Sequence, residues 1–301
     1  MRIVIAGGSG LIGRGLSASL VADGHEVIVL SRAPSRASMV PEGISVVAWD
    51  ARTAQGWGEL ADGADAIVNL AGATLSKRWT PRYKQVIRDS RLNAGRAVVE
   101  AVKSARRMPR VLVQAAGVSL YGPRGDEPVT EAERAADTFL GRTAVAWEAS
   151  TAEAESLGVR RTVVRSAPVL SSEGGVFRLM AMPFRFFVGG PLGSGRQWLP
   201  WIHIEDEIRA IRFLIDNEAA SGPFNLCAPE TVTYADFGTA LGRVMHRPAF
   251  FRVPSFALRL VLGEMSTVVL DGQRVVPSKL EGMGFGFRYP TLETALRDLL
   301  S

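Results

Sequence analysis

Apolar and polar residues along this chain fall into alternating strand-like and helix-like stretches from the first residues onward. Residues 2–6 (RIVIA) form a short β-rich run that ends in glycines. Residues 11–22 carry apolar side chains at helical spacing, and residues 26–30 (EVIVL) form a second β-rich run. That order predicts one βαβ unit. The alternation continues, with buried strands predicted at 44–48, 66–70, 111–115 and 162–165, and long periodic helices at 81–105 and 139–157. Buried strands separated by helices predict an α/β, Rossmann-like, doubly wound parallel sheet covered on both faces.

After about residue 168 the texture changes to Gly, Pro and aromatic residues, as in Gly174-Gly175, Pro183, Gly189-Gly190-Pro191 and Gly193-Ser194-Gly195. Such a stretch predicts loops over a site. Helical spacing returns at 204–217, and 223–226 predicts a last strand. A helix at 234–245, a connection marked by Pro248 and Pro254, a second helix, and a terminal helix capped by Thr291 follow. In that terminal helix Leu292, Leu296 and Leu299 share one face. The expected organisation is a nucleotide-binding domain at 1–168, completed by about 200–227. Residues 169–199 and 228–301 then form substrate-side loops and a smaller C-terminal module. There is no internal repeat or low-complexity segment.

Bulk properties narrow the function classes. With 301 residues, 47% of them hydrophobic, the chain can bury a substantial core. The longest apolar stretches are interrupted by Arg259, Glu264 and Asp271 before the roughly 18 residues a membrane span needs. The N-terminal apolar run is too short for a secretory signal, so a cytoplasmic location and no membrane partner are expected. A net charge of +5 suits a small anionic ligand as readily as a polyanion. The pairs Lys77-Arg78, Arg106-Arg107 and Arg160-Arg161 are scattered without aromatic platforms, so no nucleic-acid partner is implied. Cys227 is the only cysteine and reads as core filler, and the three histidines show no metal-ligand spacing. A Ser-His-Asp hydrolase lacks its G-x-S-x-G elbow.

The strongest motif is GGSGLIG at 7–13. It follows a strand and opens a helix, the context a dinucleotide fingerprint requires. Gly7 allows the tight turn, Gly10 lets backbone approach a pyrophosphate, and Gly13 lets helix and strand pack closely. Exposed N–H groups at the helix start then meet phosphate. Ser9, within the same loop, joins the expected cofactor contacts. At the end of the second strand, where an NAD-specific protein places an acid against the ribose 2′-OH, the chain has Ser31-Arg32, with Arg36 following. Guanidinium and hydroxyl donors there favour a 2′-phosphate, hence NADP(H).

These motifs recur with others: Asn69-Leu70-Ala71-Gly72-Ala73, Trp79, Ser90-Arg91, Tyr121-Gly122 with Arg124-Gly125-Asp126-Glu127, Trp147-Glu148, Trp201-Ile202-His203-Ile204-Glu205-Asp206 and Asn225-Leu226-Cys227-Ala228-Pro229. Together they resemble the epimerase family, an atypical branch of the extended short-chain dehydrogenases/reductases. The C-terminal run from LGEMSTVVL resembles the small uncharacterised domain that closes those proteins. The resemblance implies a Rossmann-like domain, NADP binding and, by name, nucleotide-sugar epimerisation. Carried over, it places Gly7, Gly10, Leu11, Ile12, Ser31, Arg32, Leu70, Ala71 and Gly72 along the cofactor, Ala115 beside its nicotinamide half and Asp50 near adenine.

The chain also departs from the family's pattern. Active extended members carry a Tyr and, four residues on, a Lys that lowers its pKa for proton exchange with a substrate hydroxyl. Aligned on Glu148, those positions hold Leu140 and Ala144, and Ala116 falls where Ser is common in this branch. The Arg that grips a diphosphate, four residues before His203, is Leu199, and Arg196 lies at the wrong spacing. Tyr121 is then a candidate for proton transfer, with stacking or packing as the alternative role. Asp126-Glu127 reads as a solvated pair or a general-base pair, His203 as a structural residue, and Lys77, Arg78 and Trp79 as a holder for an anionic or planar ligand. The expected function is an NADP(H)-binding epimerase or oxidoreductase acting on an unknown small molecule. The alternative is a non-catalytic NADP(H)-sensing or scaffolding protein.

Overall fold

The computed structural model describes residues 1–34 and 42–301, so Arg36 lies outside the described residues. The first half follows the expected alternation: β1 (Arg2–Ala6), α1 (Leu11–Ala22), β2 (Glu26–Ser31), β3 (Ser45–Ala48), β4 (Ala66–Asn69), α2 (Pro81–Ser104) and β5 (Val111–Gly117). Next come α3 (Phe139–Ala149), α4 (Glu153–Ser156), β6 (Arg160–Ser166), β7 (Val169–Leu170), α5 (Gly175–Arg185), β8 (Trp198–Leu199) and β9 (Ile202–His203). The chain closes with α6 (Ile204–Asp216), β10 (Gly222–Leu226), β11 (Val232–Thr233), α7 (Tyr234–Met245), α8 (Ser255–Leu262), α9 (Thr267–Leu270), α10 (Ser278–Gly282) and α11 (Leu292–Leu300).

Seven strands form one parallel sheet in the order β10-β6-β5-β4-β1-β2-β3. The chain runs outward from β1 through β2 to β3, then crosses back to β4 on β1's other side. Doubly wound sheets bind ligands at such a reversal, outside the carboxyl ends of the strands. One face of the sheet packs Ile3, Ile5, Val29 and Val113 against Leu16 and Leu20 of α1 and Ala210, Ile211 and Leu214 of α6. The other packs Val4, Ile28, Ile67 and Leu112 against Ala94, Val98, Ala101 and Val102 of α2. A third core joins Phe177 and Phe184 of α5, Phe237 and Leu241 of α7 and Leu296 of α11.

Local chemistry sets several helix ends. Thr80 accepts a hydrogen bond from Tyr83 N at 3.1 Å ahead of Pro81, and Thr138 accepts from Gly141 N at 3.0 Å. Thr233 and Asp236 form a reciprocal capping box on α7. The helix expected over 139–157 stops at Ala149, where Ser150 Oγ donates back to Trp147 O at 2.6 Å. That bond satisfies a carbonyl at the helix end and competes with continuation. Thr291 makes no capping bond to its helix; the Leu292 N–H is taken instead by the Glu230 carboxylate. Part of the expected C-terminal module also belongs elsewhere: Val275, Leu280 and Phe285 sit in the core on the α1/α6 face, with α10 beside β10.

Candidate functional site: a glycine cradle and an aromatic cleft

The loop from β1 to α1 is built for close approach. Gly7 has φ +82°, and a Cβ there would lie 2.8 Å from Leu70 C. A Cβ on Gly13 would lie 2.5 Å from Gly8 Cα and 2.6 Å from Gly7 O. Both obstacles are backbone, so the glycines are required by the turn and by helix–strand packing. Gly10 is the N-cap of α1 and supplies no side-chain cap, so the donors of the first turn, from Leu11, Ile12 and Gly13, stay available. Ser9 and Gly10 are exposed, and Leu11 and Ile12 are half-buried. This cradle fits the pyrophosphate of a dinucleotide.

The flanking strand ends are held firmly. Asn69 Nδ2 donates to Gln114 Oε1 at 2.9 Å and Gln114 Nε2 to Ala115 O at 2.6 Å, a buried bridge between the ends of β4 and β5. Leu70 N donates to Ala6 O at 2.8 Å, which sets Leu70, Ala71 and Gly72 beside the glycine loop. At the end of β2, Ser31 is buried with its Oγ accepting from Ala33 N at 3.2 Å, while Arg32 is exposed and in no ion pair among the described residues. Asp50 uses both carboxylate oxygens on its own turn, accepting from Arg52 N, Thr53 N and Thr53 Oγ1. The Thr53 backbone bond holds its pKa below the usual carboxylate range.

Beyond the ends of β5 and β6 lies a cleft of about 410 Å³. One wall is aromatic and aliphatic: Trp79, Phe139, Leu140, Ala144 and Trp147. Ala116, Gly117, Ser119 and Ser166 line the strand ends, Leu199 and Tyr234 come from the second half, and Glu264, Val268, Asp271 and Gln273 close it over. Ala115 is buried one residue before that lining. Leu140 and Ala144 therefore face the cavity and bring no titratable group to it. Trp79 stacks edge-on against Phe139 at 5.4 Å, whereas Lys77 and Arg78 are exposed and outside the cleft lining, with Lys77 Nζ 5.7 Å from the Tyr83 ring. Arg196 is exposed and outside the cleft.

Tyr121 corrects the sequence reading. It is fully buried and absent from the cleft lining. Its hydroxyl donates to Asn225 Oδ1 at 2.6 Å and accepts from Arg165 Nη1 at 2.9 Å. Burial pushes its pKa up to about 12. Arg165 is itself clamped by Glu148 at 2.8 and 3.0 Å, so the phenol belongs to a closed polar network rather than to a proton path. Tyr121→Phe is expected to cost roughly 1–3 kcal/mol of stability, because buried partners lose their bonds, and to leave cofactor affinity unchanged. Thermal melts and calorimetry check both. Unchanged stability with lost turnover would restore the catalytic role.

The remaining candidates do not line the cleft. Asp126 accepts from Trp198 Nε1 at 2.8 Å, and Glu127 is exposed. His203 caps α6 by accepting from Glu205 N at 3.2 Å, and burial lowers its pKa. Cys227 is buried, its thiol pushed well up by desolvation. Among the described residues no cluster of His, Cys, Asp or Glu could hold a metal ion, and no helix is long and apolar enough to cross a membrane.

Two residues carry more than the sequence reading assigned them: Arg91, there only part of a resemblance motif, and Glu207, which it did not single out. Arg91, buried, donates from Nη1 to Ala73 O and Ile87 O, lies 4.7 Å from the Trp147 ring and lines the cleft. Desolvation lowers its pKa to about 10. Glu207 is fully buried and accepts from Ser166 Oγ at 2.5 Å, with its second oxygen unpartnered. The signal for Glu207 was present: it shares the apolar stripe of α6 with Ala210, Ile211 and Leu214, the face where a carboxylate is costly.

Comparison with known proteins agrees with this architecture. Residues 3–227 match the model of the NAD dependent epimerase/dehydratase family, and 253–299 match a domain of unknown function, DUF1731. An epimerase family protein of Staphylococcus aureus (strain MRSA252) is 42% identical over 99% of this chain and 98% of its own length. One from Staphylococcus haemolyticus is 43% identical over 99% of each. Human epimerase family protein SDR39U1 (isoform 2), solved with NADPH, superposes with a TM-score of 0.89 at 32% identity over 99% of both chains. A nucleoside-diphosphate sugar epimerase from Corynebacterium glutamicum gives 0.80 at 31% identity, covering all of this chain and 58% of that one. The chain belongs to the NAD dependent epimerase/dehydratase family.

Proposed function

We propose that this protein is an NADP(H)-dependent oxidoreductase or epimerase-type enzyme for a small, largely apolar substrate. The observation that carries the reading is that the glycine cradle after β1 and an aromatic cleft beyond β5 and β6 lie at the same, carboxyl, end of one parallel sheet. Gly7, Ser9, Gly10, Leu11, Ile12 and Gly13 would hold the pyrophosphate, Leu70, Ala71 and Gly72 the adjoining ribose, and Ala115 the nicotinamide side. Asp50, committed to its own turn, would border the adenine end. Bound nicotinamide supplies or accepts a hydride. Ser31 and Arg32 would select the 2′-phosphate, in line with the NADPH in the human relative's structure.

Proton delivery falls to Ser166 Oγ, which lines the cleft and is hydrogen-bonded to the buried acid Glu207. Glu207 has its pKa raised by burial to about 8, close to neutral as an acid–base group requires. Diphosphate-sugar substrates are disfavoured, since Leu199 stands in the cleft wall where the family's gripping arginine is expected. The rival reading, a non-catalytic NADP(H) sensor, draws on Leu140 and Ala144, which bring no titratable group to the cleft at those two positions of α3.

Calorimetry with NADPH and NADH on wild type and Arg32→Ala tests the cofactor assignment. Wild type is expected to prefer NADPH, and the substitution to erase roughly tenfold or more of that preference, about 1.4 kcal/mol. Equal wild-type affinities would overturn it. NADPH oxidation across a panel of apolar carbonyl compounds separates enzyme from sensor.

A further inference from the structure

Among the described residues, fourteen large apolar side chains are exposed, and eleven of them fall in just two segments, 176–188 and 250–261. Those segments lie side by side. Phe251 N donates to Gly189 O at 3.0 Å, Val253 N to Pro191 O at 3.1 Å, and Gly193 N to Val253 O at 2.8 Å. These bonds join the stretch that follows Phe186, Phe187 and Val188 at the end of α5 to the stretch that leads into α8, a helix in which no residue is buried. Phe186, Phe250, Phe256 and Leu260 are 72–78% exposed, so they stand out from the surface rather than line a groove.

The charge on this face is one-sided. Neither 174–204 nor 237–263 contains an aspartate or glutamate. Arg178, Arg185, Arg196, Arg252 and Arg259 are exposed there, and none of them pairs with a carboxylate among the described residues. Arg247 lies over the Phe187 ring at 4.4 Å. An apolar patch of this extent on a monomer marks an interaction surface. A second copy of this chain would set these arginines against themselves, and like charges in apposition oppose such a contact. Protruding Phe and Leu side chains set among unpaired arginines match a fluid apolar layer bearing anionic headgroups.

We infer that the α5–α8 face docks onto the surface of an anionic lipid bilayer. The assignment is independent of the cofactor and proton chemistry. It replaces the expectation of no membrane partner, which rested on the lack of a spanning stretch, because peripheral docking needs none. It also sets the lipid beside the cleft, since Glu264 and Val268, which follow α8 directly, line the cavity. The cleft's apolar lining would then face a source of lipophilic substrate.

Co-sedimentation of the full chain with vesicles of phosphatidylcholine alone, or mixed with phosphatidylglycerol, tests this. Binding to the anionic vesicles is expected to exceed binding to neutral ones by about tenfold or more and to fall as salt rises. The double substitutions Phe186→Ser with Leu260→Ser, and Arg185→Glu with Arg252→Glu, should each abolish it while NADPH affinity and thermal midpoint stay at wild-type values. Failure to bind anionic vesicles, or equal binding to both kinds, would overturn the inference. So would a dimer seen by light scattering that the Phe186/Leu260 substitutions dissociate, because the face would then be a subunit interface.

Discussion

Glu207→Gln is expected to raise the thermal midpoint markedly above pH 8 and to change little near pH 4. The wild-type carboxyl is fully buried, its only partner is Ser166 Oγ, and desolvation raises its pKa to about 8 from a usual value of 4.5. Below the unfolded value both states hold the proton, and the stability tied to the neutral form is fully present. Between the two values the folded chain keeps a proton that the unfolded chain releases, so stability falls as pH rises and is lost once pH passes about 8. A gap of this width corresponds to something on the order of 5 kcal/mol. Glutamine has nearly the same shape and carries no charge, so it escapes that loss. Melts of wild type and variant across this range decide the matter. A constant offset between the two, or a wild type that gains stability toward high pH, would refute a raised Glu207 pKa.

Gly13→Ala is expected to weaken NADPH binding by about a hundredfold or more, about 3 kcal/mol, and to lower the melting temperature as well. The added methyl meets Gly8 Cα at 2.5 Å and Gly7 O at 2.6 Å, and neither can yield without moving the cradle. Gly10→Ala is milder, since its Cβ meets Gly7 O at 3.3 Å and the residue is otherwise open. Gly286→Ala, with nothing within 4 Å, serves as the control. Calorimetric titration ranks the three, and tight NADPH binding by Gly13→Ala would remove the loop from the cofactor site.

Much of the fold was legible because the central strands are apolar on both faces and each is punctuated by glycine or a helix cap. β1 and α7 match the expected bounds, and most other central elements fall within one or two residues of them. The errors share a cause, in that long-range partners override local signals. Thr291 resembles a cap, yet Glu230, far away in sequence, supplies the acceptor. Tyr121 sits at the right place in the chain for a proton donor, but Arg165 and Asn225 turn its hydroxyl inward, and neither is adjacent in sequence. The glycine cradle could be read because a single contiguous segment makes it. The cleft could be read only as substrate-side loops and a module after residue 168, not by its lining, since its cover comes from residues 264–273 and its walls from α3 and the ends of β5 and β6.

The same cover bears on how the chain is inherited. Arg124 N donates to Gly272 O and Gln273 Nε2 to Val118 O, after which the polypeptide passes Val275, Leu280 and Phe285 into the interior behind β10. A boundary drawn at residue 227 is thus a seam in sequence only. Cutting there would strip packing from an edge strand of the main sheet. The C-terminal region must therefore fold and unfold with the nucleotide domain as one cooperative unit, and it could be exchanged between relatives only together with the strand it covers.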